Sequence, residues 1–290
     1  MIPSQNIPNS VSNFDRSTRP QRAGLARVLI ASIPCLFLTA CVNLTAVSDF
    51  ALQAGTLSGY KGVSDDLVGT KQRLYVYAQK DPGKDGLSEE TMEQRAFEQR
   101  QQVLVNYMKA LSALADGNVP SFDTQIAQAG DGLKSLKLMD AKEEGISVAA
   151  ADLLVRIATD YARERKIHDL VVSDDPAVQD LIFRMNTVVR GYYLRSLDSE
   201  KLGIDEFVRE AKSENSAGLS RLTDLVMLDH YQMIESQRKA ADAYAKALDK
   251  IARAHADLAH NIDVPSSKDA IAKLKSYSDD LKSLYSQLKH

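Results

Sequence analysis

The sequence predicts an all-α protein, an elongated antiparallel bundle of about six or seven helices that follows a removable leader. Three observations carry this expectation. Apolar residues recur at alternating spacings of three and four along most of the chain. The segments that interrupt this rhythm are short clusters of Gly, Pro, Ser, Asn and Asp. No run alternates polar with β-branched residues in the two-residue period of a strand. Composition agrees: 44% of the 290 residues are apolar, enough to bury a sizeable core, and 26% are charged. Four of the 8 prolines (Pro3, Pro8, Pro20 and Pro34) precede residue 41, which leaves the remainder poor in helix breakers.

Charge divides at the same place. Residues 1–40 carry Arg16, Arg19, Arg22 and Arg27 against Asp15, a net +3. The rest holds 32 basic and 38 acidic residues, a net −6. An acidic main domain argues against nucleic-acid binding, which needs a basic surface to neutralise phosphates.

Residues 28–40 form a 13-residue uncharged apolar run behind Arg22 and Arg27. A bilayer-spanning helix takes about 20 such residues, so the run has the length of a signal-peptide core. It ends in Leu38-Thr39-Ala40-Cys41: an aliphatic residue, a small polar one, a small one, then cysteine. This resembles the lipobox of bacterial lipoproteins. The resemblance implies cleavage between Ala40 and Cys41 and acylation of Cys41, leaving a signal peptide at 1–40 and a helical domain at 41–290. Several acyl chains together give stable membrane anchoring where one is marginal. Val42 stands where an aspartate typically marks inner-membrane retention, so the resemblance points to the outer membrane, facing the periplasm. The only other cysteine, Cys35, leaves with the leader, and the mature chain then has no thiol chemistry and no cysteine zinc site.

Along the mature chain, 44–80 reads as helical. Gly55 and Gly59, four apart, offer a face for close backbone approach, either a dimer surface or packing within the bundle. Residues 81–88 are a turn cluster, with Ser88 placed to cap the next helix. Phe97, Leu104, Tyr107, Leu111 and Leu114 form that helix's apolar seam, and Gly117 to Pro120 stop it. A helix from about 121 carries Phe122, Ile126, Ala129, Leu133 and Leu136. Another covers about 147–172, with Leu153, Leu154, Ile157 and Tyr161 on its apolar side. Ser173-Asp174-Asp175-Pro176 reads as a break and restart. Val178, Leu181, Ile182, Met185, Val188, Val189 and Tyr192 follow. Residues 199–204, with Gly203, read as a loop or kink. The longest run, about 205–262, carries Ala240, Tyr244, Ala247, Ile251, Ala254 and Leu258, with Asn215, Ser216 and Gly218 placed to interrupt its first part. A last helix at 267–288 buries Ile271, Leu274, Tyr277, Leu281, Leu284 and Leu288.

No catalytic motif stands out. The five histidines lack the Glu-x-x-His and His-Glu-x-x-His patterns of metal-binding helices and read as solvated or locally bonded. Asp81, Gly83, Asp85 and Gly86 partly match a calcium loop, but Met92 occupies the position that needs a bidentate glutamate, with Glu93 one residue late. Adjacent acids such as Asp65-Asp66 and Asp174-Asp175 diverge by about 100° on a helix and are poor models of a catalytic pair. No catalytic residue, metal or cofactor is therefore expected.

The candidate binding surface is Arg156, Arg163, Arg165 and Lys166, with Tyr192 and Tyr193, adjacent rings of which one faces outward. The functional expectation is a non-enzymatic, membrane-tethered protein that binds a protein partner in the bacterial envelope, such as an immunity protein against a delivered toxin or an assembly factor. The alternatives are a bundle holding a lipid or small ligand, and a hydrolase whose site is too dispersed to read.

Overall fold

A computed structural model describes residues 38–77, 83–116, 163–213, 216–261 and 268–288. The chain divides into compact units at 1–36 and 37–290, and every described residue lies in the second. The described residues are helical throughout their regular structure. The elements are α1 (Leu38–Ser58), α2 (Gly62–Tyr77), α3 (Gly83–Asp116), α4 (Arg163–Asn186), a π-helical segment (Thr187–Tyr193), α5 (Leu194–Ser213), α6 (Ala217–Asn261) and α7 (Lys268–Leu288). The all-α expectation therefore holds.

Fewer separate rods form among the described residues than the six or seven expected, the helix expected near 121–136 lying outside them, and the division differs in two places: 44–80 breaks into α1 and α2, and 163–213 does not break. First, α1 and α2 follow one another along α3. Ser48 meets Ser112 at 2.9 Å, and the Tyr60 carbonyl accepts from Gln101 at 2.5 Å. The glycine face lies inside this contact: a Cβ on Gly55 would stand 3.3 Å from the Met108 Cβ. It serves close packing within the bundle. Second, α4, the π segment and α5 run without a break. The expected restart at Pro176 is absent, and Pro176 lies inside α4. Proline leaves the carbonyl four residues back without its donor. Here that residue is Val172, on the exposed side, where water can reach it. The expected loop at 199–204 is also helical, with Gly203 packed against Tyr77.

α3 begins at Gly83, five residues before the expected cap at Ser88, so the calcium-like positions from Gly83 onward belong to a helix. The break near 215 is present: Ser216 caps α6, its Oγ accepting from the Leu219 amide. The helices expected near 121–136 and 147–162 lie outside the described residues.

The core follows the predicted seams. Phe97, Leu104, Tyr107, Leu111 and Leu114 are buried on α3, Val178, Leu181, Ile182 and Met185 on α4, and Tyr244, Ala247, Ile251, Ala254 and Leu258 on α6. α6 lies antiparallel to α4 (Gln179 bonds the Ala252 carbonyl, Asn186 bonds Asp249), to α5 and to α7. Its alanines favour helix over 45 residues and let neighbours approach on several sides.

Candidate partner-binding surface

The α5–α6 hairpin is built from α6 upward. Thr223, Met227 and Ile234 turn inward. Asp224 pairs with Lys212 at 2.8 Å, Tyr231 donates to Asp205 at 2.5 Å, and Arg238 pairs with Asp198. These contacts fix the side of α6 that meets α5. On the opposite side stand Leu222, Leu225 and Val226, at 59%, 69% and 46% exposed, with Leu228 beside them at 52%. Their i, i+3, i+4 spacing forms a continuous apolar stripe. Leu202 and Phe207 are exposed on α5. Single exposed leucines are ordinary, but a stripe with no covering element among the described residues is a candidate interaction surface.

The position of this stripe along the bundle follows from the register. The Tyr244 hydroxyl donates to the Ser58 carbonyl at 3.1 Å, and α1 runs antiparallel to α6 from there. Cys41, at the start of α1, is therefore level with the C-terminal end of α6. The stripe lies near the other end.

Two buried polar clusters hold the hairpin's base and the opposite end. At the base, α2 meets the π segment and α5. Arg73 forks onto Asp66 at 2.8 and 2.9 Å and reaches Glu200 at 2.5 Å. Glu200 has no exposed surface and also accepts from Thr70 at 2.9 Å. Tyr193 donates to Asp66 at 2.8 Å. Burial works against the Arg73 charge, but the bonds from Asp66 and Glu200 outweigh it and raise its pKa. Burial, then the Asp66 charge, also raises the Tyr193 pKa, so both groups keep their protons. Gly69 leaves room for the fork: a Cβ there would lie 2.8 Å from an Asp66 oxygen. At the other end, Tyr107 bonds His255 Nε2 at 2.6 Å, and His255 Nδ1 bonds Asp175 at 2.7 Å. Tyr107 and His255 are both fully buried, and Asp175 is partly exposed at the end of the chain of groups.

Of the residues singled out in the sequence, Tyr193 is 1% exposed and faces Asp66, and Tyr192 is the half-buried ring, with the Lys71 amine 5.9 Å from its centroid. Arg156 lies outside the described residues. Arg163, Arg165 and Lys166 open the α4 backbone, and Leu38 to Cys41 open that of α1. His255, read as solvated or locally bonded, instead joins α3 to α4 through the core. Its signal was present: Leu248, Ile251, His255 and Leu258 keep the 3, 4, 3 spacing of a buried seam. Asp174 and Asp175, expected at a break, are likewise side chains inside α4, with Asp174 buried. Sequence reasoning missed Glu200, which fell in the expected loop, and the outward stripe, because a Leu-rich helix start reads as core.

Among the described residues, no three His, Cys, Asp or Glu side chains gather as metal ligands, and no helix is long and apolar enough to cross a membrane. No protein-family model, curated protein or solved structure matches the chain.

Proposed function

We propose that this chain is a lipid-tethered, non-enzymatic helical protein of the bacterial envelope that holds a protein partner on the free end of its α5–α6 hairpin. The lipobox resemblance supplies the anchor at Cys41. One observation carries the reading: the exposed stripe Leu222, Leu225 and Val226 lies at the end of α6 remote from Cys41. α6 has 45 residues, so the two ends are about 66 Å apart at 1.5 Å per residue. A tether at one end and an uncovered apolar stripe at the other suit a protein that presents a docking face away from a membrane.

Crosslinked pull-down from native membranes tests this. The wild-type chain captures one stoichiometric partner. Leu225→Asp stays in the membrane fraction and loses about 30-fold in capture, the effect of ruining an interfacial anchor. Cys41→Ala leaves the membrane fraction. Undiminished capture by Leu225→Asp, or a Cys41→Ala protein that stays membrane-bound, overturns the reading.

A further inference from the structure

An open trough of about 1050 Å³ runs along α6, walled by Lys201 of α5, by Tyr60 at the α1–α2 junction and by Leu288 at the end of α7. One line of α6 forms its length: Gln232, Glu235, Lys239, Asp242 and Lys246, at spacings of 3, 4, 3 and 4. That line continues both ways. Towards the hairpin it reaches Leu228 and Leu225, both exposed. Towards the C-terminal end it reaches Lys250 and Asp257, and there α7 covers it. Lys250 bonds Asp280 at 2.5 Å, and Asp257 takes Lys273 at 2.8 Å and the Tyr277 hydroxyl at 2.6 Å. Among the described residues, a single heptad-spaced seam is thus occupied by a helix over its last third and uncovered from Leu225 to Asp242.

We propose that the uncovered seam binds an amphipathic helix of the partner protein, laid end to end with α7. The inference rests on the partner-binding reading above and names the form of that partner. The seam's own occupant sets the chemistry. Lys239 stands eleven residues, about three turns, before Lys250 and so on the same side of α6. Lys250 takes a carboxylate from α7, and Lys239 has no ion-pair partner among the described residues. The partner helix therefore brings a carboxylate to Lys239. Ala240, partly exposed beside the line, lets its backbone approach closely. Leu225 and Leu228 take its apolar residues at one end, and Leu288 meets it at the other. The open span of 18 residues, Leu225 to Asp242, holds a helix of about 26 Å.

Photo-crosslinking on the full chain in native membranes tests this, with a benzophenone side chain at Gln232 in the trough, at Leu225 on the stripe, or at Ser276 on the exposed side of α7. The expected result is an adduct from Gln232 and none from Ser276. The crosslinked peptide belongs to an amphipathic helix with a carboxylate, and Lys239→Glu lowers the yield by about ten-fold. Exchanging that partner carboxylate for lysine restores the yield with Lys239→Glu. A Gln232 adduct to a strand, a loop, a lipid or a second copy of this chain overturns the proposal, as does indifference to Lys239→Glu. An adduct at Leu225 with none at Gln232 removes the trough helix and leaves partner binding standing. No adduct at either position removes both.

Discussion

His255 has no exposed surface, yet both of its ring nitrogens are bonded. The neutral ring satisfies every group in one arrangement: Nδ1–H donates to the Asp175 carboxylate, and Nε2 accepts from the Tyr107 hydroxyl. The cluster therefore specifies register among α3, α4 and α6, since a shift of one residue strands the buried Tyr107 hydroxyl and His255 ring. It also ties stability to acid. The His255 bond, with a second from Gln179, holds the Asp175 carboxyl below its ordinary range against the opposing effect of burial. A depressed carboxyl contributes stability that is fully present above the unfolded value near 3.9 and is lost as pH falls through the lower folded value. Asp175→Asn keeps an acceptor for Nδ1–H but removes the titration. Urea unfolding from about pH 2 to 5 is expected to show stability rising more steeply in the wild type than in Asp175→Asn. Parallel profiles for the two proteins count against this role.

At the scale of elements, the seams were legible because a 3-and-4 spacing leaves one solution for where apolar side chains go. Tyr244, Ala247, Ile251, Ala254 and Leu258 read as one face and are one face. Breaks were less legible. Pro176 and Gly203 signal interruption locally, but packing on both sides holds 163–213 helical through them. The π segment leaves no compositional mark, and it explains how the run serves two partners. Before it, Asn186 reaches Asp249 of α6; within it, Arg190 does the same and Tyr193 turns to Asp66 of α2. A π turn carries more residues than an α turn, which resets the facing of all that follows, including Glu200. Deleting Gly191 would convert the segment towards α-helix and rotate α5 by about 100° relative to α4. Glu200 would then leave Arg73, and an uncompensated buried charge costs about 3 to 5 kcal/mol. The deletion is expected to lower the unfolding midpoint steeply in calorimetry, whereas deleting a residue beyond Ser213 at the hairpin tip leaves the midpoint within a few degrees.

At the scale of the whole molecule, tether and docking face are separated by the length of α6, and the proposal gains or loses with that geometry. α1 is packed against the core from Leu44, and Ala46 and Val47 are already buried. Only two residues, Val42 and Asn43, separate Cys41 from packed structure, so a lipid on Cys41 has almost no linker. Under the proposed tether, the C-terminal end of α6, level with Cys41, is expected at the bilayer. The net charge of −6 over residues 41–290 disfavours lying flat on anionic headgroups, which attract basic segments. Under the proposed tether the bundle is expected to stand upright, with Leu225 about 54 Å from the level of Asn261. Energy transfer to acceptor lipids in liposomes measures this directly. With Cys41 acylated and Cys35 removed, Leu225→Cys and Asn261→Cys each introduce a single free thiol for the donor dye. Strong transfer is expected from position 261 and weak transfer from 225. Inserting about 20 Gly and Ser residues after Val42 gives a tether of about 25 Å and should blur the difference, because the bundle can then tilt and lift. Equal transfer from both positions in the uninterrupted chain would mean that the bundle lies along the membrane, and the partner would have to be sought at the surface of the same bilayer.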